Sequence, residues 1–317
     1  MQIRSILVAA AACALPTVAS AATFSETFDD ANGASRWTVV NTNSGVDTGS
    51  DFAFNYSGLV GPSGSSIGVP RAGQTSTTGL QLWANRSAPN AVEGINAYAN
   101  GLNLSGAHVM EFDIYAHWTV AATSTNYAVY GFYHSTQTGT WNSISNGTTI
   151  LPASSGYWFT TSGDGGTTTD YRAHEAGANI GTAANYYGGT QDSAVTTNSP
   201  NWQTLFPDLD GAGARSVAGT IANRWVTIRI TRDGGSILWE MKNSGDANFV
   251  TAFSFTDATE TNPDGTITVG MTDPFTSLSP ADTFFIYDNI SVTPVPEPTS
   301  LALLGLGGLA LLRRRRQ

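Results

Sequence analysis

The chain has 317 residues and a formal charge of −10; it is 41% hydrophobic, only 12% charged, and contains 34 glycines. The hydrophobic share supports a packed core, and Gly, Thr, Ser and Asn dominate where a helical protein needs Lys, Glu, Leu and Ala, which excludes wholesale disorder and a long helical fold. The acidic balance argues against a nucleic-acid partner, and the single cysteine, Cys13, excludes disulfide frameworks and Cys-based zinc sites.

Residues 1–21 have the layout of a secretory signal peptide. Arg4 precedes an apolar run, and Ala19-Ser20-Ala21 supplies small residues at the two positions that a signal peptidase recognises. We expect cleavage directly after this tripeptide, or one residue later. A lipoprotein interpretation of Cys13 fails because Ala10 stands where a larger aliphatic residue is usual and the apolar run before the cysteine is short.

Residues 22–293 predict an all-β domain. Segments with two-residue alternation are separated by Gly, Ser, Thr and Asn clusters, and no segment keeps a helical period over ten residues. The predicted strands are Phe24–Phe28, Gly79–Trp83, His108–Trp118, Asn126–His134, Gly156–Thr160, Arg224–Arg232, Ser236–Lys242, Phe249–Phe255, Thr266–Met271 and Thr283–Val292. Asp233-Gly234-Gly235 predicts a tight hairpin turn. This number of short strands is typical of a two-sheet antiparallel β-sandwich.

The strand His108–Trp118 has an apolar face and a polar, aromatic face. The apolar face consists of Met110, Phe112, Ile114, Ala116 and Trp118. The opposite face carries Glu111, Asp113, Tyr115 and His117, and together with Trp141 and Trp202, whose rings suit the apolar side of a sugar, it is a candidate ligand face. The alternative is that Glu111 and Asp113 are the solvated side of an amphipathic strand.

The stretch Thr161–Ala222 is rich in Gly, Thr, Ala and Asn, with scattered aromatic residues. Loops of this length are uncommon in compact domains and are usually functional or mobile. We interpret it as a long insertion between sandwich strands; the alternative is a set of ordinary surface loops with one unrecognised short strand.

Two acids interrupt the apolar alternation of the terminal strands. Glu26 lies in register with Phe24 and Phe28, and Asp288 lies in register with the apolar residues of the last strand. A buried carboxylate must be neutralised by a proton, a cation or an arginine. If the terminal strands are neighbours, Glu26, Asp288 and Asn289 form an oxygen cage for a structural Ca²⁺, with Asp51 or Asp282 as a further ligand.

The C-terminal segment 294–317 contains Pro296-Glu297-Pro298, an apolar stretch at 299–312 and a basic end made of Arg313, Arg314, Arg315 and Arg316. Leu301–Leu312 is short for a free-standing membrane span, which needs about 20 residues. The arginines favour a cytoplasmic location for the end of the chain, with the body outside.

This combination resembles the PEP-CTERM sorting signal of Gram-negative bacteria. The resemblance implies export, transient anchoring in the inner membrane through 299–312, processing by an exosortase-type transpeptidase after the signal peptidase has acted, and display on the cell surface or in the extracellular polysaccharide matrix. Without the leader's arginine, the four terminal arginines and Glu297, the body keeps 9 basic and 23 acidic residues, a balance of −14.

The body also resembles the concanavalin A-like or laminin-G-like jelly rolls. The residues that carry the resemblance are Phe24-Ser25-Glu26-Thr27-Phe28-Asp29, Met110-Glu111-Phe112-Asp113-Ile114, Trp225-Val226-Thr227-Ile228-Arg229 and Ile286-Tyr287-Asp288-Asn289-Ile290-Ser291-Val292. Where this fold binds glycans, the polar face of a curved sheet and its rim loops form the site, and the resemblance implies the same location here. The laminarinase-like glucanases of the same fold carry an E-x-D-x-x-E strand motif, of which this chain has Glu111 and Asp113 but Ala116 at the third place.

The sequence therefore predicts an exported, non-catalytic β-sandwich that binds or accompanies extracellular polysaccharide. Two alternatives stay open: a calcium-dependent, lectin-like binder, and a glycoside hydrolase with a degenerate motif. The four histidines show no zinc-type spacing, and neither a G-x-S-x-G elbow nor a P-loop is present.

Overall fold

Short strands build the described part of the chain, as the two-residue alternation predicted. The structure is a computed structural model and describes residues 23–41, 47–61, 63–86, 93–118, 126–135, 155–163, 171–176, 178–180, 185, 187, 200–209, 218–259, 262–274 and 283–295. The elements are β1 (Phe24–Glu26), a 3-10 turn (Gly33–Arg36), β2 (Trp37–Asn41), β3 (Gly49–Asn55), β4 (Thr78–Trp83), β5 (Glu93–Ala99), β6 (Leu104–Ser105), β7 (His108–His117), β8 (Tyr127–His134), β9 (Tyr157–Ser162), β10 (Tyr171–Glu175), β11 (Ala178–Asn179), α1 (Pro200–Leu205), β12 (Trp225–Asp233), β13 (Ser236–Asn243), β14 (Val250–Thr256), β15 (Asp264–Asp273) and β16 (Phe284–Pro294).

The strands form two antiparallel sheets. The first sheet has the order β14-β13-β12-β7-β16-β4-β3, and β1 pairs with β16; the second has the order β11-β10-β9-β8-β15-β5-β2, and β6 pairs with β15. The fold is therefore the all-β, two-sheet antiparallel sandwich that the sequence predicted. The N- and C-terminal strands are neighbours, with Phe24 opposite Val292 and Glu26 opposite Ile290.

The core lies between the inner faces of the two sheets, where large aromatic rings interlock. The ring of Phe112 on β7 meets Tyr130 on β8 at 5.0 Å and Tyr287 on β16 at 5.8 Å. Met110, Ile114 and Ala116 of β7 belong to the same buried cluster as Phe112, so the predicted apolar face is confirmed for these residues. Trp118 follows the strand and is buried outside this cluster. Sheet packing of this kind fixes strand register, because a slip of one residue would move every ring to the opposite face.

All ten predicted strands are present with shifts of a few residues at their ends. The predicted hairpin is also present: Asp233 pairs with Ser236 across Gly234-Gly235, and Gly234 has a φ of 57°, which glycine adopts without strain. The strands that sequence reasoning missed, such as β3 and β5, are rich in Gly, Ala, Ser and Asn. Their alternation involves small side chains, and for that reason the apolar pattern is weak.

The described residues of the stretch 161–222 include regular structure, and its strands belong to the second sheet. Its first residues complete β9, and Tyr171–Glu175 forms β10, which pairs along its length with β9 in the second sheet. Two further elements, β11 and α1, follow. The polar composition hid β10 because Arg172 and His174 alternate with the core residues Tyr171 and Ala173.

Candidate functional site

The last strand changes face at Asn289. Its pairing with β7 shifts between Asp288 and Ser291, and Asn289 has a φ of 51°, a conformation that Asn tolerates better than most residues. Before this bulge Tyr287 points into the core, and after it Ile290 does so. The prediction that Asp288 shares a face with Ile290 is therefore wrong, since the bulge places Asp288 on the outer face of the first sheet.

Asp288 lies directly opposite Asp113 on that outer face. The carboxylate of Asp288 accepts hydrogen bonds from the Tyr56 hydroxyl at 2.8 Å, the Gln74 amide at 2.8 Å and the Asn289 backbone N–H at 2.7 Å. Burial, with a smaller contribution from the charge of Asp113, raises the pKa of Asp288 to about 6. Neutral donors therefore hold this acid, and its pKa lies well above the ordinary value of an aspartate.

Asp113 is fully buried and has a positively charged partner. Arg71 Nε donates to Asp113 Oδ2 at 2.5 Å, the Thr227 hydroxyl donates to Oδ1 at 2.7 Å, and the Asn289 amide donates to Oδ2 at 2.8 Å. The same arginine reaches Glu111 Oε1 at 3.3 Å through Nη2. One guanidinium thus binds both predicted acids of β7.

A loop covers this face, so the predicted ligand face is not open to solvent. Residues 56–77, which we call the β3–β4 connection, place Leu59, Ile67 and Val69 on an outer apolar cluster with Tyr115 and Trp225. The cluster also includes Tyr56, Phe284 and Ile286, while the Pro70 carbonyl accepts a hydrogen bond from the Ser244 hydroxyl. Asp113 and Tyr115 are 0% and 1% exposed. The alternative interpretation, in which Glu111 and Asp113 are the solvated side of an amphipathic strand, is therefore wrong for Asp113.

The edges of the face remain partly exposed. Glu111 keeps a quarter of its side chain exposed and also pairs with Arg229 at 3.1 Å. His117 is half-buried and stacks parallel on Phe284 with ring centroids 4.6 Å apart. Neither residue stands free as an acid or base in an open cleft.

A cavity of about 240 Å³ adjoins the covered face. It lies between the β3–β4 connection and the residues that lead into β12. Its lining consists of Gly61, Ser63, Ser65, Ser66, Ile67, Tyr115, Leu209, Asn223, Arg224 and Trp225. The Tyr115 hydroxyl and the Trp225 indole N–H are buried and have no hydrogen-bond partner in the part of the chain that the structure describes.

Arg224 is the charged side chain of the cavity lining. It is 8% exposed, donates to the backbone carbonyls of Pro207 and Ala222, and lies over the ring of Phe206. Burial lowers the pKa of Arg224 to about 10, which leaves the guanidinium charged at neutral pH. The cavity therefore combines a positive charge with unsatisfied donors on aromatic residues.

The two tryptophans predicted for the ligand face do not extend it in the described structure. Trp202 lies on α1, is fully buried, and stacks on Tyr171 with ring centroids 3.8 Å apart. It belongs to the core between the sheets, so its predicted role in sugar stacking is wrong. Trp141 lies outside the described residues.

The structure does not bring Glu26 and Asp288 into one calcium cage. The carboxylate of Glu26 accepts hydrogen bonds from Arg36 Nε at 2.5 Å and Arg36 Nη2 at 2.8 Å, and Asp288 faces the other side of the sheet beyond the bulge. Asp51 caps the N–H of Ala53 on the surface.

Asp282, the other candidate ligand, lies outside the described residues, and within them no group of three or more His, Cys, Asp or Glu side chains is arranged to hold a metal ion. Glu26, which was predicted to bridge the terminal strands through calcium, is neutralised by Arg36 instead. An arginine was one of the three partners expected for a buried carboxylate.

Sequence reasoning missed the residues that come from connections. Arg71, Gln74 and Tyr56 reach the acids from the β3–β4 connection, and Arg224 and Trp225 come from the start of β12. One signal was available: the body has only nine basic residues, and Arg71 is one of them, in a Gly/Ser-rich stretch. A buried acid needs such a partner, but the sequence does not say which arginine reaches it.

Comparison with known families identifies the C-terminal segment. The family model described as the PEP-CTERM protein-sorting motif matches residues 294–316. The chain therefore carries this sorting motif, as the residues predicted, and the motif implies export and processing by an exosortase. No curated protein matches the chain. In the described residues no helix is both long and apolar enough to span a membrane, and 299–312 lies outside them.

Several solved structures are similar to this chain at low identity. Lectin I-B4 from Griffonia simplicifolia, in its metal-free form, is 9% identical, with a TM-score of 0.43, and covers 86% of this chain and 100% of its own. The exoplasmic/lumenal domain of VIP36, in the Ca²⁺/Man3GlcNAc-bound form, is 6% identical (TM-score 0.40; 71% and 83% covered). The carbohydrate recognition domain of Emp47p is 13% identical (TM-score 0.34; 70% and 86% covered).

Proposed function

We propose that this protein is exported and displayed outside the inner membrane as a non-catalytic β-sandwich that retains extracellular polysaccharide. The observation that carries the proposal is the sorting motif at 294–316. Together with the leader at 1–21, it directs the body out of the cytoplasm, and an exosortase removes the anchor near Pro296-Glu297-Pro298. The body then functions as the part that remains at the cell surface or in the matrix.

The geometry of the acids supports a binding role over catalysis. A retaining glycosidase needs two carboxyl groups about 5–5.5 Å apart beside the scissile bond, one of which donates a proton. Asp113 is buried and bound to Arg71, and Glu111 is bound to both Arg71 and Arg229. Carboxylates held in this way serve to anchor the β3–β4 connection on the sheet.

The sorting part of the proposal is tested by replacing Pro296-Glu297-Pro298 with three alanines in the full chain. We expect the variant to stay in the membrane fraction with its anchor uncleaved, because the processing site is lost. A matched control replaces Thr299 with serine, which leaves the tripeptide and the basic end unchanged. Unaltered processing and surface display of the tripeptide variant would refute the proposal.

The binding part is tested by retention of the exporting cell's own extracellular polysaccharide on the immobilised protein, with and without EDTA. We expect retention in both conditions, because the buried acids bind arginines and neutral donors. Retention that disappears with EDTA would favour the calcium-dependent, lectin-like alternative. Absence of retention in both conditions would remove the polysaccharide from the proposal and leave a displayed scaffold.

A further inference from the structure

The cavity beside the covered face offers hydrogen-bond donors that have no acceptor among the described residues. The Tyr115 hydroxyl and the Trp225 N–H are buried, and a buried polar group without a partner costs about 1–3 kcal/mol. The two residues lie opposite each other on β7 and β12, with their rings 5.3 Å apart in an edge-to-face contact. Two neighbouring donors thus lack an acceptor among the described residues, and both residues line one cavity. This arrangement points to a ligand that accepts hydrogen bonds.

The serines at the rim add further donors. Ser63 Oγ accepts the N–H of Ser65, and Ser66 Oγ accepts the N–H of Gly68, so each hydroxyl hydrogen is directed elsewhere. All three serines of the lining are exposed. A ligand rich in oxygen acceptors therefore meets donors both at the rim and at the buried end.

The charge of the lining selects among oxygen-rich ligands. Arg224 is positive and lies close enough to Tyr115 to influence its hydroxyl electrostatically, while the body as a whole carries a balance of −14. Asp208 also interacts electrostatically with Arg224 but is not part of the lining, so Arg224 is the charged residue of the cavity wall. A positive cavity in an acidic protein favours a carboxylate over a neutral group. Burial raises the pKa of Tyr115, so its hydroxyl remains a donor at neutral pH.

The volume of the cavity and its apolar walls suit a single sugar ring. The volume of about 240 Å³ is below the lower limit of about 300 Å³ for drug-sized ligands. Ile67 and Leu209, which is 47% exposed, provide apolar walls for the C–H face of a pyranose. We infer that this cavity binds a single sugar residue that carries a carboxylate, with Tyr115, Trp225 and Arg224 donating hydrogen bonds to it. The inference rests on the proposed function, in that it takes the ligand from a polysaccharide.

The test uses the exported protein and two probes, trigalacturonate and galactotriose, in titration calorimetry. We expect trigalacturonate to bind about tenfold more tightly, the effect of one hydrogen bond to a charged group. Tyr115→Phe should weaken this binding about tenfold without lowering the melting temperature, because it removes only an unsatisfied hydroxyl. Arg224→Gln should abolish the preference for the acidic probe.

A filling variant separates the cavity from the rest of the surface. A Cβ atom on Gly61 would lie 3.6 Å from the Tyr115 hydroxyl and meets no shorter contact, so Gly61→Leu places its side chain in the cavity. Gly58 on the same connection faces open space, and Gly58→Leu is the matched control. We expect Gly61→Leu to lose binding of trigalacturonate at least tenfold and Gly58→Leu to bind as the unaltered protein does.

Equal affinity for the two probes, or unaltered binding in Gly61→Leu with an unchanged circular-dichroism spectrum, would overturn the inference. If the native polysaccharide is retained equally by Gly61→Leu and the unaltered protein, the cavity assignment fails and the proposed function stands. If trigalacturonate binds and Gly61→Leu blocks it, but the native polysaccharide is not retained, the cavity assignment stands and the proposed ligand source fails.

Discussion

Glu26 and Asp288 are both buried acids on the paired terminal strands, yet the protein stabilises them in opposite ways. Glu26 meets the guanidinium of Arg36 and the N–H of Phe28, so its ionised form has a charged partner. Asp288 meets only neutral donors among the described residues; burial, with a smaller contribution from the charge of Asp113, raises its pKa to about 6, so its neutral form is favoured below that pH. The same break in alternation therefore marks a structural ion pair at one place and a titratable group at the other.

The largest expected effect breaks the ion pair. Arg36→Ala leaves Glu26 buried without its cation, and removing one partner of a buried pair costs about 3–5 kcal/mol. Because the Arg36 side chain is 32% exposed, we expect about 3 kcal/mol of lost unfolding free energy, measured by denaturant unfolding. The double variant Glu26→Gln with Arg36→Ala should recover most of it. If Arg36→Ala lowers the free energy of unfolding by less than about 1 kcal/mol, water reaches Glu26 and its charge is not buried.

The alternation of apolar residues predicted the strands of the sheets, because residues two apart in a strand lie on the same face whatever the neighbouring strand is. In β7 the residues Met110, Phe112, Ile114 and Ala116 were placed correctly from their spacing alone. The face of Asp288 was not predictable in this way, because Asn289 inserts one residue into the pairing and inverts the pattern beyond it. A bulge depends on the partner strand, which sequence spacing does not contain.

The candidate site was predictable only in its strand residues. Asp113 and Tyr115 were correctly grouped on one face, but their burial comes from the β3–β4 connection, whose Gly/Ser-rich sequence carries no periodic signal. Arg71 is 42 residues from Asp113 in the chain, and such a pairing follows from the path of the loop over the sheet. Long-range partners of this kind are a property of the folded chain and not of any local pattern.

The second prediction concerns the titration of Asp288. Its pKa rises from 3.8 unfolded to about 6 folded, so the stability associated with its neutral form is complete below pH 4 and is lost as the pH rises through 6. Relative to Asp288→Asn, the unaltered protein should lose about 2–3 kcal/mol of unfolding free energy between pH 4 and pH 7.

The pH dependence of Asp288 has to be measured as the difference in unfolding free energy between the unaltered protein and Asp288→Asn, because two histidines also titrate. Burial lowers the pKa values of His134 and His174 to about 3, below their unfolded value, so both histidines stabilise the fold above pH 6.5 and withdraw this stability as the pH falls. Their effect is opposite in sign but common to both proteins. A difference that stays constant between pH 4 and pH 7 would show that Asp288 is ionised throughout this range.

The third prediction concerns the loop that covers the Asp288 side. Arg71→Gln removes the charged partner of Asp113, while Thr227 and Asn289 still donate hydrogen bonds to that carboxylate. The side chain of Arg71 is 39% exposed, so water weakens the pair that is lost. We expect a loss of about 1–2 kcal/mol and faster amide hydrogen exchange in the β3–β4 connection. Arg229→Gln is the control, since it also loses a bond to Glu111 but is not part of the connection. Equal exchange in the two variants would mean that apolar contacts alone hold the loop.

The smallest effect is expected at Glu111, which is the more exposed of the two acids that Arg71 binds. Glu111→Gln keeps the size of the side chain and one acceptor oxygen, and its pairs with Arg71 and Arg229 are partly solvated. Exposed pairs contribute about 0–1 kcal/mol, so the unfolding free energy should change within that range.

The same variant, Glu111→Gln, discriminates between binding and hydrolysis, because a nucleophilic or acid role would make Glu111 indispensable. Release of reducing sugar from a β-glucan that disappears in Glu111→Gln would establish the hydrolase, and would require Arg71 to release both acids when substrate binds. No release from either protein leaves Glu111 as an anchor for the covering loop, a role that its contact with Arg71 describes.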